Sequence, residues 1–165
     1  MSEPSQGRFF LWLLGAALLF LIGAIAVVQW RADVVRIDPD EAVQVARGTQ
    51  IYSSYCAACH GANLDGQPDW RQARADGRMP APPHDESGHT WHHPDDVLFG
   101  ITKYGLVPGK YAPPGYESDM PAFGTLLDDA EIRAVLAYIK SSWGPRERAY
   151  QARIDEQARS LPRRD

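Results

Sequence analysis

The chain has 165 residues, with 17 Lys/Arg against 21 Asp/Glu and a formal net charge of −4. That length accommodates one ordinary domain plus extensions. The acidic balance argues against a nucleic-acid partner, which would favour a basic face.

From Phe9 to Trp30 the chain runs 22 residues without a formal charge, and Gln29 is the one strongly polar side chain among them. As a helix this segment spans roughly 30 Å of hydrocarbon. Trp12 and Trp30 suit the two interfaces, and Arg8 and Arg31 bracket the run. A cleaved signal peptide is the rival, with Ala24-Ile25-Ala26 as its cleavage site. The apolar run is longer than the roughly 7–15 residues of a signal h-region, which favours an uncleaved anchor. The expected layout is residues 1–8 as a short cytoplasmic N-terminus, 9–30 as a single N-terminal transmembrane helix and 31–38 as a linker.

Asp38-Pro39-Asp40-Glu41 then supplies an N-cap, a proline at the first helical position and two acids in the first turn. Val43, Ala46, Gln50 and Ile51 recur near helical spacing, so the helix should run to about Tyr55. Gly48 lies inside it, where glycine costs about 1 kcal/mol relative to alanine. One reading is a tolerated glycine; the sharper one is a second helix crossing so closely that a side chain cannot fit.

The helix runs into Cys56-Ala57-Ala58-Cys59-His60, whose C-x-x-C-H pattern is a c-type haem attachment site. Two thiols one helical turn apart can add across both vinyl groups of a haem, and His60 is then held under the iron as its proximal ligand. The competing readings are a redox-active Cys pair or half of a zinc site. Zinc needs two further ligands at suitable spacing, and a thioredoxin-like site needs a βαβ pattern around the motif. The sequence offers neither.

Between Pro83 and Pro94 lie His84, His89, His92 and His93, four of the five histidines. Imidazole suits copper or zinc, but the run is loop-like and its spacing poor for one helix face. Packing and hydrogen bonding around the pocket is the favoured role, with Trp91 covering a pocket edge. Displacement of another distal ligand by His89, His92 or His93 is a further alternative. Pro94-Asp95-Asp96 should open a short helix through Val97, Leu98, Phe99, Ile101 and Tyr104. Leu106 to Gly115 is rich in proline and glycine and predicts a surface loop.

Asp128-Asp129-Ala130-Glu131 has the form of a capping box, and Ile132, Val135, Leu136 and Ile139 follow on one face. Gly144-Pro145 is expected to stop that helix. Residues 31–145 hold 10 Lys/Arg and 16 Asp/Glu, whereas 146–165 hold 6 and 4. In this charged C-terminal extension Tyr150, Ile154, Ala158 and Leu161 make a thin apolar stripe. It fits a docked helix or a solvated tail equally well.

The chain resembles class I cytochromes c across about residues 39–144. Gly48 and Tyr52, eight and four residues before Cys56, match that family's glycine/aromatic pair. Val135-Leu136-Ala137-Tyr138-Ile139-Lys140 is similar to its C-terminal helix, with Tyr138 as the crossing aromatic. The resemblance implies an all-α, class I cytochrome c fold at residues 39–145 around one covalently attached haem c on Cys56 and Cys59. Asp119-Met120-Pro121-Ala122-Phe123 looks like the family's distal methionine loop, which makes Met120 the second iron ligand in preference to Met79. A thioether is a soft ligand that stabilises ferrous iron and raises the potential. The family also uses a proline carbonyl to accept the proximal histidine's ring N–H; Pro80, Pro82 and Pro83 are the candidates here.

The expected function is electron transfer without substrate turnover, by a tethered carrier or a subunit of a respiratory or dehydrogenase complex. Its redox partners would be an oxidase, a dehydrogenase or a quinol-oxidising complex. Haem attachment of this kind resembles the bacterial periplasmic pathway. That implies a single-pass inner-membrane protein with its haem domain in the periplasm. A haem enzyme or gas sensor is the alternative, and it requires an open distal position.

Overall fold

A computed structural model describes the backbone of residues 5–161 and the side chains of 11–28 and 36–161. The expected anchor residues Arg8, Trp30 and Arg31 therefore have side chains outside the described set, as do both chain ends. The chain divides into two units, residues 1–36 and 37–165. The first is one helix, α1 (Ser5–Val35), which extends beyond both ends of the apolar run. Its segment Leu11–Val28 is long and apolar enough to cross a membrane, and none of it is buried.

The second unit holds α2 (Ala42–Tyr55), the single turn α3 (Ala57–His60), α4 (Asp95–Tyr104), α5 (Asp129–Ser141) and α6 (Pro145–Ser160). Short 3₁₀ turns stand at Thr90–His92 and Phe123–Thr125. Among the described residues the β structure amounts to one isolated bridge, Pro108 to Ala112, inside the proline- and glycine-rich loop.

The start of α2 differs from expectation. Asp38 does not cap it: its carboxylate accepts from the Asp40 N–H at 3.0 Å in a tight local turn. Glu41 is the N-cap, accepting from the N–H groups of Val43 at 2.9 Å and Gln44 at 2.5 Å. A longer carboxylate placed one turn later satisfies the helix's first donors, so Pro39 falls in the preceding turn. The capping box of α5 forms as the sequence suggests: Asp128 accepts from the Glu131 N–H at 2.8 Å and Glu131 from the Asp128 N–H at 3.1 Å.

The core is built where α2 crosses α5. Ile51 and Tyr52 from one helix and Ile132, Val135, Leu136 and Ile139 from the other are all buried. A Cβ on Gly48 would lie 2.0 Å from the Ala134 carbonyl oxygen and 2.8 Å from the Tyr138 Cβ. The close-crossing reading of this glycine is therefore right. The Tyr52 and Tyr138 rings meet beside it, centroids 5.3 Å apart.

Gly144-Pro145 does more than stop a helix. α5 already ends at Ser141, and Gly144 and Pro145 are the N-cap and first residue of α6. The C-terminal extension is thus helical through Ser160, and it is docked chiefly by polar groups. Gln151 and Asp155 are its buried residues. Asp155 accepts the Asp95 N–H at 2.9 Å, capping α4, while Gln151 donates to the Asp95 carboxylate at 2.8 Å. Buried Lys140 donates to the same carboxylate at 2.6 Å. Burial raises the Asp95 pKa above its ordinary value even so, the lysine acting in the opposite direction.

Candidate functional site

α2 delivers the C-x-x-C-H segment as one nearly continuous helical path. The Cys56 N–H donates to Tyr52 at 2.9 Å, and the His60 N–H donates to Cys56 at 2.9 Å. Cys56 and Cys59 are free thiols at the two ends of that turn, half-buried and exposed respectively. Burial, and then the neighbouring Cys59, push the Cys56 thiol up to about 11. Redox-active Cys pairs depend on a lowered thiol pKa, so this environment opposes the thioredoxin-like reading.

His60 is buried, and a hydrogen bond orients its ring. Its Nδ1 lies 2.8 Å from the Pro82 carbonyl oxygen, which selects Pro82 from the three candidate prolines. A carbonyl can only accept, so Nδ1 carries the proton and Nε2 keeps its lone pair. Burial outweighs the opposing Pro82 bond and lowers the His60 pKa, which keeps the imidazole neutral. A neutral, oriented imidazole with one nitrogen available is the form that binds a metal.

The loop that brings Pro82 into place is laced by backbone bonds. The Gly66 N–H donates to His60 at 2.8 Å, Gln67 to Ala81 at 2.9 Å and His84 to Leu64 at 2.7 Å. Gly66 has φ +70°, and a Cβ there would lie 2.4 Å from the Pro83 nitrogen. From the other side, the Tyr52 hydroxyl points at the carbonyls of His60, 3.2 Å away, and Gly61, 3.0 Å away.

His84 stacks on His60 with ring centroids 3.9 Å apart, and its Nδ1 lies 3.0 Å from the Thr90 hydroxyl. His89 stacks on Trp70 at 5.5 Å and meets the edge of His93 at 5.6 Å. His92 stacks on Trp91 at 3.8 Å, and Trp91 meets Tyr150 of α6 edge-on at 5.3 Å. Among the described residues no group of three or more His, Cys, Asp or Glu side chains is arranged to hold a metal. The histidine-rich segment thus packs against the proximal loop and α6. Trp91 packs against the core and α6.

Met120 is half-buried and packs against the core cluster, whereas Met79 lies in the loop that leads to Pro82. Three residues after Met120, buried Phe123 meets Tyr55 edge-on at 6.4 Å, immediately before Cys56. The methionine segment is therefore held beside the attachment motif. These residues fit a c-type haem: two reduced thiols on one turn, an oriented neutral imidazole and a thioether on a neighbouring loop.

Comparison with known proteins agrees with that chemistry. The family model described as Cytochrome c matches residues 45–143. The gluconate 2-dehydrogenase cytochrome c subunit of Pantoea cypripedii is 30% identical over 97 residues, covering 59% of this chain and 20% of its own length. The cytochrome bc1 complex cytochrome c subunit of Mycobacterium bovis is 26% identical over 134 residues, 80% of this chain and 40% of the relative. The Cbb3-type cytochrome c oxidase subunit CcoP of an Azospirillum species is 34% identical over 104 residues, 63% and 30% respectively. The chain thus spans between 20% and 40% of the length of these relatives. No solved structure gives a match of comparable strength.

Proposed function

The chain belongs to the cytochrome c family, and on that premise we propose that it is a membrane-tethered periplasmic electron carrier. It holds one haem c through Cys56 and Cys59, with His60 and Met120 as axial ligands. The observation that carries this reading is the 2.8 Å contact between His60 Nδ1 and the Pro82 carbonyl, which leaves Nε2 available.

The haem, when bound, supplies a one-electron couple. Pro82 fixes the tautomer and orientation of His60 and raises its basicity as a ligand. Met120 supplies a soft thioether that favours the reduced state. Tyr52 ties the turn after His60 to α2, so the proximal side stays in place in either oxidation state. Buried Leu98, Phe123 and Leu127 keep water from the interior. Nothing in this machinery consumes a substrate.

α1 serves as a single membrane anchor, with residues 31–38 leading to a domain at 39–145 and the docked extension at 146–165. The named relatives are subunits of dehydrogenase, bc1 and oxidase assemblies. The natural partner is a membrane respiratory or dehydrogenase complex, served as tethered carrier or as subunit. Full-length protein extracted in mild detergent should carry one covalent haem and titrate as a single reversible one-electron wave. In intact inner membranes its domain should be digested only from the periplasmic face. A haem-free protein, or a domain protected on that face, would refute the proposal.

A further inference from the structure

The segment that carries Met120 has little structure of its own. Among the described residues, no backbone–backbone hydrogen bond outside the helices engages residues 117–121, and the 3₁₀ turn begins only at Phe123. The Met120 N–H is satisfied locally, by the Ser118 hydroxyl at 3.0 Å. The polar ties that reach this segment from elsewhere come from two arginines. Arg78 donates to Asp119 Oδ1 at 2.6 Å and lies 3.4 Å from Glu117 Oε2. Arg74 donates to the other Asp119 oxygen.

A closed turn sets the two guanidiniums side by side. The Arg74 N–H donates to Arg78 at 2.9 Å and the Gly77 N–H to Arg74 at 2.9 Å. Asp76 accepts the Arg78 N–H at 3.0 Å and lies 3.7 Å from the Arg74 side chain. The loop bearing this turn also presents Pro82 to His60. One loop therefore reaches the proximal histidine through a carbonyl and the Met120 segment through two cations.

We infer that Arg74 and Arg78 are positioning residues for the distal ligand, acting through Asp119 to hold the Met120 segment closed. The inference rests on the proposed His60/Met120 ligation. The side chains of Arg74, Arg78, Asp119 and Glu117 are all exposed to solvent, so each pair is weak and screened by salt. The latch is accordingly shallow, shifting the balance between closed and open segment by roughly five-fold.

The test uses ferric full-length protein in detergent, with imidazole as a competitor for the methionine's position. Apparent affinity for such a competitor scales with the fraction of open segment. Arg74→Gln with Arg78→Gln should raise imidazole affinity about five-fold. Added sodium chloride should raise wild-type affinity toward that of the double variant and leave the variant unchanged. Arg74→Lys with Arg78→Lys should fall between them, which a general loss of structure would not produce. Should the glutamine variant misfold, the lysine variant and the wild-type salt titration decide the matter. Equal affinity and equal salt dependence in all proteins, with the weak red-region sulfur-to-iron band intact, would overturn the latch. Absence of that band from wild type would show instead that the ligation reading is wrong, and the latch would fall with it.

Discussion

The two sides of the proposed haem site are built by opposite means. On the proximal side the motif continues α2, and backbone bonds from Gly66, Gln67 and His84 lace its loop to neighbouring segments. On the distal side, among the described residues, 117–121 take part in no such backbone bond, and exposed arginines reach Asp119 from the loop that bears Pro82. Backbone bonds in a packed setting resist local opening, whereas surface ion pairs do so weakly. On the proposed ligation, this difference makes His60 the permanent ligand and Met120 the exchangeable one.

The largest effect should come from removing the attachment itself. Cys56→Ala with Cys59→Ala should leave no haem bound after denaturation, as read by mass spectrometry of the unfolded chain. Next in size is the helix crossing beneath the proximal side. At Gly48→Val the new Cβ would meet the Ala134 backbone at 2.0 Å, and the helices would have to separate. A loss of roughly 3 kcal/mol or more in denaturant unfolding is expected. Little change there would mean that the proximal side is less rigidly supported than its contacts indicate.

The smallest effect is a dependence on pH. Burial, followed by neighbouring charged groups, lowers the pKa of His89 and His93 below the ordinary 6.5. The unfolded chain then binds more protons than the folded one as pH falls below that value. Their contribution to stability is complete above about pH 6.5 and declines on acidification. Asp95 acts the other way because burial raises its carboxyl from 3.8, so the histidine effect is best read between about pH 7 and 5.5. The urea midpoint should fall across that interval, and His89→Gln with His93→Gln should reduce the slope but not abolish it, because burial holds the pKa of His84 well below 6.5 as well.

Much of this arrangement was legible in sequence because it is local. The attachment motif occupies five consecutive residues, and the α5 capping box is set by Asp128 and Glu131 three apart. Gly48 stood out as a glycine inside a helical pattern, and its crossing partner follows from the apolar face of α5. What stayed hidden depends on loop closure. Pro80, Pro82 and Pro83 look alike until the Gln67–Ala81 bond and the Gly66 turn decide which carbonyl reaches His60. The pairing of Arg74 and Arg78 with Asp119 spans 45 and 41 residues and has no periodic signal. The thin stripe of the extension left a docked helix and a solvated tail equally open, because the buried residues of α6 are Gln151 and Asp155 and Leu161 of the stripe is 68% exposed. Glu41 displaced Asp38 as cap because a glutamate reaches two N–H groups from a position usually held by shorter side chains.

The central claim is that Met120 completes the site opposite His60 and leaves no vacant position. The most direct measurement compares wild type, Met120→Ala and Met79→Ala by absorption spectroscopy and by carbon monoxide binding to the ferrous proteins. Wild type and Met79→Ala should show the weak red-region sulfur-to-iron band when ferric and bind carbon monoxide poorly at neutral pH. Met120→Ala should lose the band, bind carbon monoxide readily and have a lower reduction potential. Ready binding by wild type, or a band that survives Met120→Ala and disappears in Met79→Ala, would contradict the account.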